Sequence, residues 1–362
     1  VQTRALEVFG EDSGAAVVMD VENGDILCLA SAPAFDPNMF VGGIPSKIYR
    51  ALADYERRPL LDKAMSGTYP PGSTFKMMTG LAALEAGIDP NRRVVCTGSY
   101  RLGNGVWRCW KHGGHGSVDL HTALKTSCDT YFYTVARETG PEPLARVARA
   151  FGLGQIYDIG IGNQSEGLVP DPEWKARRKP SGETRWAVAN SINYGIGQGY
   201  LLVNPLQLTV MTARLANGRK AINPRLVKSV GGEERPPGDR APNLPFSIEH
   251  LDLVRAGMAA VANDVSGTAY RNSQLGLGPI QMAGKTGTAQ SRSYRGGTRD
   301  NKAVAWSLRD HGWYVAFAPV DKPRYAICVL VQHGSSGSGA AAPKARDIMR
   351  VALLKDPEIR AR

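Results

Sequence analysis

Pro70-Pro71-Gly72-Ser73-Thr74-Phe75-Lys76-Met77-Met78 is the stretch on which the reading of this chain turns. Two prolines and a glycine interrupt regular structure, and Met77, Met78, Leu81 and Leu84 then recur at helical spacing, so a helix begins at or near Ser73. That spacing puts a hydroxyl and an amine, Ser73 and Lys76, on one helix face within hydrogen-bond reach. An isolated serine is a weak nucleophile. A lysine kept neutral by burial or by a second cation can take its proton, and the free N–H groups of a helix start can meet a developing oxyanion. Alone, Ser-x-x-Lys is equally the start of a surface helix.

Two further elements extend the chemistry. Ser127-Cys128-Asp129 falls inside a second helical run, Asp119–Glu138, whose apolar positions are Leu120, Leu124, Phe132, Val135 and Ala136. A hydroxyl there can relay a proton between Lys76 and a leaving amine. Gly284-Lys285-Thr286-Gly287-Thr288-Ala289 lies in a strand pattern. It offers a cation at Lys285, hydroxyls at Thr286 and Thr288 on one strand face, and at Gly287 a place where a ligand backbone can lie close. This suits a peptide carboxylate docked by strand addition.

Around these elements the chain alternates in type. Ala15–Val21 and Asp25–Ser31 are apolar runs joined by Glu22-Asn23-Gly24, a hairpin signal. Leu206–Ala216 and Ile248–Ala262 read as helices, Ile280–Thr288, Gly312–Ala318 and Arg324–Gln332 as strands, and Ala341–Leu354 as a closing helix. Strands at both ends with helices between predict an α/β chain of the α+β type. An antiparallel sheet built from both termini forms one lobe, about 1–72 and 265–362, and a mainly helical lobe spans about 73–264, with a cleft between them. Residues 175–184, 231–243 and 290–310 read as loops, and the run Lys175, Arg177, Arg178 and Lys179 as solvated charge.

The 362 residues are 43% hydrophobic and 21% charged, which excludes wholesale disorder, and no fixed-period repeat supports a collagen, solenoid or propeller. A net charge of +11 arises from scattered residues without a groove-reading motif, which speaks for an anionic wall or membrane surface and against nucleic acid. No stretch approaches the roughly 18 apolar residues of a membrane span, so the chain as given is expected to be soluble. It begins with Val1, and Gln2–Glu7 reads like the tail of a helix. The expectation is a catalytic fragment from which an N-terminal membrane anchor and pedestal are absent.

Of five cysteines, Cys28 and Cys328 sit in strand-like apolar runs and read as small core residues. Cys96, Cys109, His115 and Cys128 follow at offsets of 13, 6 and 13, and three thiolates with one imidazole make a tetrahedral zinc set. A Cys96–Cys109 disulfide, three buried thiols, or His112 in place of His115 are the alternatives.

Together, Ser73-x-x-Lys76, Ser127-x-Asp129 and Lys285-Thr286-Gly287 in this order resemble the penicillin-binding protein and serine β-lactamase superfamily. Gly14–Pro33, Leu61–Met77, Gly195–Gln207 and Gly312–Pro319 extend the likeness to the class B transpeptidases. Asp129 where a division-type enzyme would carry Asn, with Trp110, Gly113-Gly114-His115-Gly116 and Asp129–Tyr133, is similar to the elongation-type group, penicillin-binding protein 2.

That resemblance implies a fold with a central antiparallel sheet, flanking helices and an all-helical lobe. It also implies a peptidoglycan D,D-transpeptidase that needs no cofactor for catalysis. Ser73 would be acylated by the stem peptide with release of D-Ala. Lys76 would act as base, kept neutral by the charge of Lys285, and Ser127 as relay. The N–H groups of Ser73 and Thr288 would form the oxyanion hole, and Lys285, Thr286 and Thr288 would hold the terminal carboxylate. It further implies acylation by β-lactams, a structural zinc at the Cys/His set, and attachment at the periplasmic face of the inner membrane. The implied partners are a SEDS-family glycosyltransferase and the rod-shape scaffold. A β-lactam hydrolase or a β-lactam sensor on the same scaffold, and the division-specific paralogue, are the competing readings.

Overall fold

A computed structural model of the chain describes residues 1–178, 184–234, 241–291 and 303–360. The chain starts with α1 (Gln2–Phe9) and the hairpin β1 (Gly14–Asp20) and β2 (Ile26–Ala32), followed by the exposed α2 (Ser46–Ala53). A 3-10 turn, Gly72–Phe75, then leads into α3 (Lys76–Glu85). The segment after it holds four short strands, β3 (Val94–Cys96), β4 (Ser99–Leu102), β5 (Gly105–Arg108) and β6 (Gly116–Val118), paired β3 with β6 and β4 with β5. Helices follow: α4 (Leu120–Thr126), α5 (Asp129–Thr139), α6 (Pro141–Ala150), α7 (Pro172–Arg177), α8 (Val188–Tyr194) and α9 (Pro205–Ala216). After the small hairpin β7 (Ser229–Val230) and β8 (Glu233–Glu234) come α10 (Ile248–Asn263), β9 (Ala283–Ala289), β10 (His311–Ala318), β11 (Tyr325–Val331), α11 (Ala342–Lys355) and α12 (Pro357–Arg360).

One five-stranded antiparallel sheet, in the order β2-β1-β11-β10-β9, organises the molecule. Its inner strands are buried on both faces, and the period-two alternation of side chains divides them between two cores. Val17, Met19, Val315, Phe317, Cys328 and Leu330 share one core with the helical segment, including Met78, Leu81, Phe132 and Leu208. Val18, Cys28, Ala316, Ile327 and Val329 share the other with Phe9 of α1 and Ile348 and Met349 of α11. Cys28 and Cys328 are therefore core residues, as read, and burial pushes the Cys28 thiol up to about 12.

Three expectations need correction. The run Asp119–Glu138 is not one helix: it breaks at Ser127, which adopts φ 55° and ψ 41° at the end of α4, before Cys128 caps α5. The segment from 94 to 118, within the part read as mainly helical, is two β-hairpin-like pairs. Lys175 is not solvated. It lies in α7, whose start is capped by Asp171, and its Nζ donates to Asn190 Oδ1 at 2.8 Å and sits 5.5 Å from the Tyr200 ring centroid. Parts of the loops expected at 175–184, 231–243 and 290–310 lie outside the described residues.

Candidate active site

Ser73 is not the first residue of the α-helix but the second of the 3-10 turn that precedes it. The turn is clamped to both neighbours. Gly72 (φ +55°) donates its N–H to Gly197 O at 2.9 Å, and a Cβ added at Gly72 would stand 2.6 Å from Thr288 O. Trp313 of β10, whose indole N–H donates to Pro70 O at 3.0 Å, holds the preceding residues. Ser73 is thereby set against β9, the edge strand of the sheet, which pairs with β10 on one side only. An edge strand leaves a row of N–H and C=O groups for an incoming peptide.

Gly287 lines the cleft, as expected of a place where a ligand backbone lies close, and it has a second reason as well. A Cβ there would meet Thr74 Cγ2 at 2.9 Å, Pro71 O at 3.0 Å and Trp313 Cβ at 3.1 Å, so this glycine lets the protein's own Ser73 turn close on the strand.

Lys76, fully buried, donates to Asp129 Oδ1 at 2.6 Å, to Ser127 O at 2.9 Å and to Ser127 Oγ at 3.3 Å. Lys285, also fully buried, donates to the same Ser127 Oγ at 2.9 Å and to Thr286 O at 3.1 Å. One hydroxyl thus joins two lysine amines. The left-handed backbone of Ser127 costs about 1–3 kcal/mol. It is held because Ser127 O accepts from Lys76 and, at 3.1 Å, from the Trp110 indole, while Asp129 Oδ2 accepts the Trp110 backbone N–H at 2.9 Å.

Two amines and one carboxylate share this small volume. Burial first, and then the charge of Lys76, hold Lys285 well below the ordinary lysine range, with Asp129 pulling the other way. The ion pair with Asp129 belongs to Lys76, and the charge of Lys76 is in turn one of the causes that lower Lys285.

Ser73, Ser127, Asp129, Thr286, Gly287 and Thr288 line one cleft of about 540 Å³. Arg108, Trp110, His112, Tyr133, Gln198, Thr268, Asp310 and Ser338 complete its walls. Thr268 escaped the sequence reading, since a threonine in a loop after a helix carries no signal. Its Oγ1 lies 2.8 Å from Thr286 Oγ1, and Ser338 Oγ donates to its carbonyl at 2.7 Å.

Behind the cleft wall the Cys/His set does assemble. One ligand atom from each of Cys96, Cys109, His115 and Cys128 lies within 4.8 Å of all the others, and His115 Nδ1 is 3.7 Å from Cys96 Sγ and 3.5 Å from Cys109 Sγ. Tetrahedral zinc with ordinary Zn–S and Zn–N bonds separates S and N by about 3.5 Å, so the donors fit that ion. All five cysteines are free, which removes the Cys96–Cys109 disulfide, and His112 lines the cleft instead of joining the set. A hydrogen bond from the Cys128 thiol pulls Cys109 below the ordinary thiol range, and the same pairing drives Cys128 up. Cys109 precedes Trp110 and Cys128 lies between Ser127 and Asp129, so the set is joined in sequence to both sides of the Trp110–Asp129 contact.

The penicillin binding protein transpeptidase domain matches residues 14–350, and the chain belongs to that family. Within it, the chain is similar to the peptidoglycan D,D-transpeptidase MrdA of Acinetobacter baumannii, 39% identical over 360 residues that make up 98% of this chain and 52% of that protein. The MrdA of Escherichia coli K12 is 34% identical over 352 residues, 94% of this chain and 54% of that protein. Among solved structures, PBP2 of Pseudomonas aeruginosa in complex with WCK 5153 aligns with a TM-score of 0.86 at 36% identity, covering 98% of this chain and 74% of that one. PBP2 of Helicobacter pylori in its complex with MreC aligns with a TM-score of 0.86 at 34% identity, covering 98% and 62%. The chain spans about half the length of the curated relatives it matches.

Proposed function

We propose that the chain is the transpeptidase domain of an elongation-type peptidoglycan synthase, cross-linking stem peptides through an acyl-enzyme at Ser73. The observation that carries this reading is the Ser127 hydroxyl, 2.9 Å from Lys285 Nζ and 3.3 Å from Lys76 Nζ, opening on the same cleft as Ser73 and edge strand β9. Such a bridge can move a proton. Lys76 gives a proton to Ser127 Oγ while the Ser127 proton passes to neutral Lys285. Neutral Lys76 then takes the Ser73 proton as Oγ attacks the carbonyl of the penultimate D-Ala. A substrate carboxylate at Thr286 and Thr288 favours the charged form of nearby Lys285, so docking promotes the transfer.

The N–H groups of Ser73 and Thr288 meet the oxyanion, and the departing D-Ala amine receives its proton back through Lys76 and Ser127. An amine of a second stem peptide then attacks the ester, loses its proton by the same route and restores Ser73. β-Lactams acylate Ser73 in the same way and lack a leaving group that departs.

The lobes at about 1–72 with 265–362, and at 73–264, belong to this reading as the two walls of the cleft, as does attachment at the periplasmic face of the inner membrane. No helix among the described residues is long and apolar enough to cross a membrane. The Helicobacter relative's complex with MreC supports a rod-shape scaffold as partner, and a related chain from a peptidoglycan synthase complex that coordinates polymerization and crosslinking supports a glycosyltransferase partner. Zinc held by Cys96, Cys109, His115 and Cys128 would supply a structural clamp behind Trp110 and Asp129 and no reacting group.

The test is intact-protein mass after exposure to penicillin and to an amidinopenicillin, followed for hours. One stable adduct at Ser73, absent in Ser73→Ala, is expected. Rapid loss of the adduct would make the chain a hydrolase, and an adduct persisting in Ser73→Ala would remove Ser73 from the reaction.

A further inference from the structure

A second cavity, of about 550 Å³, lies beside the catalytic cleft. Among the described residues the two share no lining side chain, yet they adjoin: Asp310 lines the cleft, and His311, next to it at the start of β10, lines the cavity. Two histidines meet in the cavity wall, His311 and His333, with ring centroids 4.4 Å apart. The backbone N–H of His333 donates to His311 Nδ1 at 3.0 Å, so that nitrogen carries no proton. His333 Nδ1 lies 2.8 Å from the Arg309 carbonyl, which can only accept, so this nitrogen does carry one. Burial lowers both rings, His311 to about 4 with the help of His333, and both are neutral at pH 7. The remaining nitrogens are thereby fixed in kind. His311 Nε2 is an N–H donor and His333 Nε2 a bare acceptor, and neither has a hydrogen-bond partner among the described residues.

The rest of the wall is preset around them. Trp306 packs edge-on against His333 with centroids 4.5 Å apart, and the Arg57 guanidinium lies 5.6 Å from its ring. Tyr69 packs against His311 at 5.3 Å and accepts from Gln332 Nε2 at 2.9 Å. Arg58 and His333, both in the lining, hold left-handed backbones with φ 45° and 54°, and the fully buried Lys63 fixes the first by donating to Arg58 O at 2.8 Å. Strained backbone kept on two separate segments of one cavity wall points to a ligand.

Elimination narrows the ligand. Asp54 and Glu56 stand against Arg58 in the lining, with Arg57 behind Trp306, so the wall has no excess of either sign and selects neither an anion nor a cation. β10 and β11 pair with each other and with β9 and β1, so neither has an edge open to a peptide backbone. A donor and a bare acceptor set close together among aromatic rings suit neighbouring hydroxyls of a sugar, each of which gives one hydrogen bond and takes another. Resting on the transpeptidase reading for the source of such a ligand, we propose that this cavity binds the glycan strand of peptidoglycan, a β-1,4-linked N-acetylhexosamine chain, alongside the cleft that takes its peptides.

The experiment titrates the chain calorimetrically with chitotetraose, the peptide-free tetramer of N-acetylglucosamine, before and after Ser73 is acylated by penicillin G. Saturable binding is expected, with the same Kd on the acylated chain. Trp306→Ala and His333→Asn, whose asparagine tolerates the left-handed backbone, should each weaken binding by about tenfold, while penicillin acylation stays within about twofold in both. Trp174→Ala, which alters an aromatic outside the cavity, should leave the affinity unchanged. Absence of saturable binding, parental affinity in Trp306→Ala and His333→Asn, or loss of binding on acylation would overturn the assignment. Displacement of the tetramer from the acylated chain by a free stem pentapeptide would overturn it as well, since the cavity would then be a peptide site. Absence of any penicillin adduct on the unmodified chain would instead remove the transpeptidase reading, and the titration of that chain would still decide whether the cavity takes the sugar.

Discussion

Asp129 Oδ1 lies 2.6 Å from Lys76 Nζ while the other oxygen of the same carboxylate accepts the Trp110 N–H at 2.9 Å. Both oxygens are therefore committed, one to the Lys76 amine and one to the Trp110 backbone beside Ser127. The Lys76 side chain has no exposure and that of Asp129 12%. In so closed a site, removing one partner leaves the other charge without compensation. Asp129→Ala is expected to lower unfolding free energy by about 3 kcal/mol in urea melts and to slow penicillin acylation more than it weakens the initial complex. Asp129→Asn, which keeps an acceptor but not the charge, should lose less stability, about 1 kcal/mol. A melt for Asp129→Ala within about 0.5 kcal/mol of the parent would show that the pair does not hold the site.

Lys285 gives a prediction with a definite sign in pH. Its folded value lies far below 10.5, the value for a free lysine, because the site buries it beside Lys76. Between the two values the unfolded chain binds a proton that the folded chain does not, so this residue makes stability rise with pH until 10.5 is reached. Lys285→Met removes the titrating group at similar volume. It should raise stability at pH 7, by a margin that shrinks as pH approaches 10.5, and abolish the Ser73 adduct. Thermal melts at neutral and alkaline pH, with intact mass as the activity readout, check both halves. Equal destabilisation at every pH would mean that the ammonium is a net stabilising charge.

The sheet and the three motifs were legible because each rests on short-range pattern. Apolar runs bounded by turn residues gave β1, β2, β10 and β11, and spacing brought Ser73 and Lys76 to one turn. The break at Ser127 was not legible. Ser127 carries neither glycine nor proline as a warning, and its left-handed backbone is held by Trp110 and Lys76, far away in sequence. Thr268 was missed for the same reason: its meaning lies in Thr286, brought beside it by the packing of α10 on β9. Lys175 misled because charge runs are usually solvated, whereas here Asn190 and Tyr200 cover one member of the run. The lowering of Lys285 needed burial and its nearness to Lys76 together, and a sequence states neither.

The Cys/His set yields the last prediction, and its readout is independent of the reaction. Cys96, Cys109 and Cys128 are buried and free, and His115 Nδ1 faces two of their sulfurs at 3.5 and 3.7 Å. Three thiols and an imidazole confined to one small volume are a costly arrangement without a cation, since a thiolate there has no positive partner among them. The chain purified without added metal should carry about one equivalent of zinc by elemental analysis. A strong chelator should release it, make three buried thiols reactive to a thiol reagent and lower the melting temperature. Cys128→Ser should lose most of the metal. It should also acylate slowly, because α5 then starts without its anchor and Asp129 is freed from Trp110. Metal well below one equivalent, with the thiols unreactive before chelator is added, would leave packing alone as the reason these four side chains meet.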